Sequence, residues 1–474
     1  MKNLTIRNIT RVTGGRYTGP EEILDREVES VITDSRKIES GCLFIPIAGA
    51  RVDAHDFIPE VMEKGALVTL SEKELPGSDF PWIKVESSLS AIQDLAAFYL
   101  ESLQIPVVGI TGSVGKTSTK EAIASVLQQR FRVLKTLGNF NNELGLPFTI
   151  FRLREEDQIA VLEMGISHFG EMTKLARIAR PDTVVITNIG NCHLEFLGDR
   201  DGVLKAKTEI LDFMNKDGHI ILNGDDDRLR TIRESHGILP VFYSVRSDHA
   251  GTFVRPMEEK REYYADSLEN LGLDGTRVKL HLGDETIQMT IPVPGRHMIY
   301  NALAAAAVGK CYGLTSEEIR RGIESFETID GRFHIIRKPA WTIIDDCYNA
   351  NPMSMKAALD ILKEIPGRRT AILGDMGELG SDEAEFHREI GCYAVQAGVD
   401  QLICIGALSK QMAEEAVRAA AEISSPTRVY WEAGVEEFLQ KTEQYLEAGD
   451  TILVKASHFM EFGRIVEKLS EKGD

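Results

Sequence analysis

Short β-branched runs alternate with segments of helical period along most of this chain. Ile105 to Ile110, broken by Pro106, reads as a buried strand, and Ile123, Val126 and Leu127 then recur on one helical face. Two further apolar runs, Ile159-Ala-Val-Leu-Glu163 and Thr183-Val-Val-Ile-Thr187, each end in polar residues. Strands separated by helices predict a mainly parallel sheet over residues 104–333. Pro294 leads into an alanine-rich helix through Val308, whose small faces predict burial. Before this unit, within residues 1–103, Leu43, Ile45 and Ile47 alternate as a short strand should. After it, Trp341 to Asp346, Thr370 to Leu373, Leu402 to Ile405 and Ile452 to Val454 alternate with helices. They predict a second, smaller α/β sheet over 334–474. The expected class is α/β, in three domains.

Composition agrees. A single core stops growing near about 250–300 residues, so 474 residues need several. Hydrophobic residues at 43% and charged residues at 27% fit the soluble globular class. No apolar run approaches the roughly 20 residues of a membrane span, and Met1 to Thr10 lacks an apolar core before a small-residue cleavage site. The expectation is a cytoplasmic protein with no membrane insertion. Six scattered cysteines suggest neither a disulfide framework nor a zinc site. A net charge of −19 argues against broad nucleic-acid binding, although a local cradle can still hold a nucleotide.

Such a cradle is visible at Gly109-Ile-Thr-Gly-Ser-Val-Gly-Lys-Thr-Ser-Thr-Lys120, between the first strand and its helix. Glycines let backbone N–H groups close around phosphate oxygens, and the helix N-terminus adds positive partial charge. Lys116 would reach the terminal phosphates and the Thr117 hydroxyl would sit on magnesium. The spacing is unusual: Ile110 stands where a glycine is common, with Gly109 one residue too early. Ligands of parallel sheets gather at the carboxyl ends of strands. Glu163 is placed there like the acid that completes a magnesium site, or it caps the following turn. His193, just past a strand end, is a metal ligand or a solvent-facing loop residue. On residue grounds Lys205 and Lys207 form an ordinary charged helix face. Turn formation explains Gly138-Asn-Phe-Asn-Asn142 as well as ligand contact does. Thr33-Asp-Ser-Arg36 and the loop carrying Arg51, Asp53, His55 and Asp56 are either surface caps or a site for a second anionic substrate.

Taken in order, Thr111 to Thr117, Glu163, Asn188 to His193, Gly295 to Asn301, Gly331-Arg332 and Asp345 to Pro352 resemble the motifs of the Mur ligases. These are ATP-dependent amide-forming enzymes of peptidoglycan precursor synthesis, and the resemblance covers essentially the whole chain. It also accounts for the glycine spacing. Gly138 to Asn142, Tyr348-Asn-Ala-Asn-Pro352 and Leu373-Gly-Asp-Met-Gly-Glu-Leu-Gly380 with His387 resemble the branch that adds D-alanyl-D-alanine to UDP-N-acetylmuramoyl-tripeptide. The Asp-Asn-Pro-Arg signature of the diaminopimelate-adding branch is absent. Two positions depart from the family: Met298 replaces an asparagine, leaving Asn301 as the adenine contact, and His458 replaces an arginine.

The resemblance implies a UDP-substrate domain at 1–103, an ATP-binding domain at 104–333 and a Rossmann-like domain at 334–474. ATP would be held by Thr111, Gly112, Ser113, Val114, Gly115, Lys116, Thr117, Ser118, Asn301, Arg332, Asp346, Tyr348 and Asn349. Ser35, Arg36, Asn139 and Asn142 would hold the UDP substrate. Lys207 aligns with a lysine that the family carries as a carbamate, an oxygen ligand suited to magnesium. Thr117, Glu163 and His193 would join it around two magnesium ions, and Lys116, Lys207, His193 and Arg332 would carry catalysis. The implied reaction runs through an acyl phosphate in a monomer. Two other readings stay open: a sister ligase (diaminopimelate- or lysine-adding, or resembling folylpolyglutamate synthase) and a P-loop regulator that merely holds nucleotide.

Overall fold

The computed structural model describes residues 1–49, 52–246 and 262–472, so Arg51 lies outside the described residues. Three sheets follow one another along the chain. The first is small: Val31–Ile32, Leu43–Phe44, Val68–Ser71 and Trp82–Lys84 pair in parallel, and Arg16–Thr18 adds an antiparallel edge. The expected strand at Leu43 is thus short, and Ile47 falls in the loop beyond it.

In the central sheet, Val107–Thr111 lies between Ile159–Glu163 and Thr183–Ile186, all parallel. Register places Ile110 beside Glu163 and Thr111 beside Ile186, so their carboxyl ends open on one edge. The alanine-rich helix Arg296–Cys311 packs on the phosphate-loop helix Lys116–Leu127, with Ala302 and Ala304 to Ala307 buried. Small side chains let the two helices approach closely, which brings Asn301 to the loop.

The sheet continues where no strands were expected. Glu262–Asn270, Thr276–Leu282 and Glu285–Ile291 form an antiparallel extension, with Val278, Leu280 and Leu282 inward and Lys279 outward. That alternation is legible in the sequence in the period of two that half-buried strands require.

The third sheet pairs Thr342–Asp345, Thr451–Lys455, Arg369–Gly374, Gln401–Ile405 and Arg428–Glu432 in parallel, with His334–Arg337 as an antiparallel edge. Asn351 caps the helix Pro352–Lys363 from its side chain, and Pro352 opens it where a missing N–H costs nothing. Among the described residues no helix is long and apolar enough to cross a membrane.

Candidate active site

The phosphate loop is built by close approach. At Gly112, φ is +144°, and a Cβ would run into the Thr187 hydroxyl on the neighbouring strand end. Glycine is needed here by sterics, which explains a motif with its first glycine after Thr111 rather than at 110. Gly112→Ala is expected to destabilise the fold by about 1–3 kcal/mol, read as a lower denaturation midpoint. Asn188 then pins the loop, accepting from Val114 N (2.9 Å) on its Oδ1 and donating from Nδ2 to Val114 O (2.9 Å). Ser113 Oγ accepts from Gly190 N at 2.8 Å and from the Cys192 thiol at 3.1 Å. The Lys116 ammonium, at the helix start, curls back on the Gly112 carbonyl at 2.9 Å.

Beside the loop, Glu163 is buried at its strand end. Its Oε1 accepts from Asn141 Nδ2 at 2.7 Å, while Oε2 has no hydrogen-bond partner and stands 3.9 Å from the buried Lys120 ammonium. Lys120 donates to Thr136 O at 2.7 Å. An unsatisfied buried carboxylate oxygen is costly unless something fills its lone pairs. Of the loop asparagines, Asn141 makes this contact, a residue the sequence reading missed. Asn142 accepts from Gly145 N (2.8 Å) at the start of a helix, and Asn139 is exposed.

Lys207 overturns its reading as a surface charge. The helix Arg200–Thr208 turns Val203, Ala206 and Lys207 inward, an i, i+3, i+4 stripe continued by Ile210. Lys207 is fully buried and its Nζ has no hydrogen-bond partner. Burial first, and then the nearby Lys116 charge, bring its pKa down to about 8. Lys205, by contrast, is exposed.

In the link just before the third sheet's edge strand, Arg332 lies over the Tyr348 ring, 3.8 Å from its centroid, with Nε unpartnered. The preceding Gly331 donates its N–H to Asp345 Oδ2 at 2.8 Å, so Asp345 braces the crossing between the sheets. Asp346 instead accepts from Lys455 Nζ at 2.6 Å, and the same ammonium donates to Asn349 O at 3.0 Å. Lys455 stands in the Lys455-Ala-Ser-His458 motif, which resembles the family's Lys-Gly-Ser-Arg, and was assigned no role from sequence. Its signal was a lysine at the carboxyl end of a buried strand. Asn301 accepts from Thr119 Oγ1 at 2.8 Å and turns its Nδ2 toward Met298 Sδ at 3.3 Å. His297, one turn earlier, is held below its ordinary pKa by burial.

These groups surround two cavities. One of about 220 Å³ is lined by the phosphate loop, Tyr243, His297, Asn301, Asp346 and Lys455. The other, of about 630 Å³, draws on all three sheet regions: Ile47 and Leu89, then Lys116, Glu163 and His193, then Tyr348. Arg332 and Asn349 line both. Ser35 and Arg36 lie outside these linings; Arg36 forms a bidentate pair with Asp34 and is exposed. Among the described residues no three His, Cys, Asp or Glu side chains are gathered to hold a metal by themselves.

Family models match in the same order as the sheets. The Mur ligase family catalytic domain covers residues 27–100, the Mur ligase middle domain 110–309 and the Mur ligase glutamate ligase domain 331–458. The UDP-N-acetylmuramoyl-tripeptide--D-alanyl-D-alanine ligase of Bacillus subtilis is 36% identical over 98% of both chains. Crystal structure I of MurF from Acinetobacter baumannii superposes with a TM-score of 0.86 at 29% identity, covering 98% of each chain. MurF ligase from Thermotoga maritima, solved in complex with ADP, gives 0.80 at 27%, covering 94% of this chain and 97% of that one. A shared nucleotide-binding sheet alone would not carry such identity through all three regions, and this chain belongs to the Mur ligase family.

Proposed function

We propose that the protein joins D-alanyl-D-alanine to UDP-N-acetylmuramoyl-tripeptide at the expense of ATP, through an acyl phosphate. The carrying observation is the 630 Å³ cavity, where a phosphate-loop lysine, a buried carboxylate and an arginine from the link to the third sheet face one space. An amide does not form from a free carboxylate in water, so the tripeptide carboxylate first takes the γ-phosphoryl group of ATP, with ADP as the leaving group. The amine of D-alanyl-D-alanine then attacks the acyl carbon, and phosphate leaves. Both partners of the first step are anions. Lys116 would leave the Gly112 carbonyl for the transferring group, and Arg332, which lines the same cavity, would meet it too. Enclosure between the sheets keeps water from the acyl phosphate.

The residues fit a metal. Glu163 Oε2 and Lys207 Nζ are buried without hydrogen-bond partners, and magnesium is ordinarily held by one or two carboxylates together with substrate phosphates. Thr117, Glu163, His193 and a carbamate on Lys207 would hold it, two ions in all, and it would neutralise charge on the phosphoryl group. A carbamate replaces a buried, unpaired cation by an anion facing Lys116, which removes an electrostatic cost. Asp346, Tyr348 and Asn349 would hold ribose and adenine, with Asn301 near the base, while Ser35, Arg36, Asn139 and Asn142 would take the UDP end. We read the protein as a cytoplasmic monomer, one chain supplying every residue named here.

Phosphate release measured with UDP-muramoyl-tripeptide, with and without D-alanyl-D-alanine, tests this reading. Release that needs the dipeptide supports it. Release that needs diaminopimelate or lysine instead makes the chain a sister ligase, and slow release indifferent to any acceptor makes it a nucleotide-binding regulator. Arg332→Ala is expected to lower kcat by roughly a hundredfold with little change in ATP affinity. Lost affinity at unchanged kcat would make Arg332 a ground-state contact.

A further inference from the structure

We propose that Glu378, carried by the third sheet region, is the carboxylate that positions His193 as a metal ligand, so that a residue of one region completes a ligand of another. The inference rests on the reading of His193 as a magnesium ligand. His193 Nδ1 and Glu378 Oε2 are 2.7 Å apart, an ion-pair contact between the central and third regions rather than an in-line hydrogen bond. Nδ1 is buried, and with that nitrogen turned to Glu378, Nε2 is the one left for the cavity that His193 lines. Histidine ligands usually give their second ring nitrogen to a carboxylate, which fixes the ring and raises the basicity of the ligating nitrogen.

Both residues are built into place. His193 and Glu378 adopt left-handed backbone, φ +52° and +60°, which non-glycine residues rarely hold without support from their surroundings. The loop around Glu378 has that support: Met376 N donates to His387 Nε2 (2.9 Å), Gly377 N to Ser457 Oγ (2.9 Å), and Asp375 accepts from Ser409 N (2.7 Å) and Oγ (2.6 Å). Leu379 is buried, and Gly380 faces the backbone of Glu195, just past His193. The motif Leu373 to Gly380 with His387 is therefore an arm that carries one exposed carboxylate across to the central region. No other part of the proposed mechanism uses it.

Manganese stands in for magnesium in the test. It is titrated into protein saturated with a non-hydrolysable ATP analogue, with free metal read by electron paramagnetic resonance. Glu378→Gln is expected to raise the manganese Kd about tenfold or more, His193→Ala at least as much, and the double variant no more than His193→Ala alone. In turnover, Glu378→Gln should raise the KM for magnesium, with kcat recovered at saturating metal. Because Glu378 is exposed, its amide variant should keep the wild-type melting temperature. An unchanged Kd in His193→Ala would sink the reading of His193 as a ligand. A weakened His193→Ala beside an unchanged Glu378→Gln overturns only the positioning role. So does an equal loss from Glu378→Gln in both backgrounds.

Discussion

Lys116→Ala is expected to lose ligation by about a thousandfold while keeping the fold. Removing one preorganised donor to a charge-developing transition state costs about a hundredfold to a thousandfold, and Lys116 opposes the largest charge change in the reaction. The loop does not need it for shape. Thr187 and Asn188 hold Val114, and Ser113 is tied to Gly190, whether or not the ammonium rests on Gly112 O. Phosphate release under saturating substrates measures the loss, and thermal melting checks the fold. A variant keeping more than about a tenth of wild-type turnover would remove the lysine from the phosphoryl step.

Lys207→Ala should be nearly as damaging, about a thousandfold, for a different reason. The side chain is buried and its Nζ has no hydrogen-bond partner, so its loss strands no partner group and should leave the protein folded. On the proposed reading, what disappears is the carbamate and, with it, an oxygen ligand. Acetate supplies a carboxylate of similar size, and tens of millimolar should restore part of the activity. Carbon-13 NMR in labelled bicarbonate at neutral pH should show a carbamate signal on the wild type, and none on the variant. Lys205→Ala, on the exposed side of the same helix, should behave almost as wild type. Full activity in Lys207→Ala would return the residue to a structural role.

Part of this site was legible because its chemistry is local. A phosphate loop is one continuous turn whose N–H groups, glycines and lysine lie within a few residues, so its spacing carries its function. Glu163 could be placed because a strand end in a parallel sheet is a predictable address. The asparagine loop could not be resolved: Asn139, Asn141 and Asn142 differ by one or two positions, and only the fold decides that Asn141 faces Glu163. The antiparallel extension at 276–291 had a readable alternation that the parallel pattern before it obscured.

Length, periodicity and motif together determined the two larger α/β units, the strand-to-helix phosphate loop and the acids at strand ends. Hydrophobic period and turn chemistry are properties of neighbouring residues, so they survive without the fold. Burial and contacts between distant residues are not. The helix 200–208 reads as charged at both Lys205 and Lys207, and packing within the central region alone makes one of them a surface cation and the other a buried group without a hydrogen-bond partner. Likewise Lys455 reaches Asp346 across 109 positions, and His193 reaches Glu378 from another sheet. The free energy of such pairs depends on desolvation and on distances between distant chain segments, which the tertiary structure alone supplies.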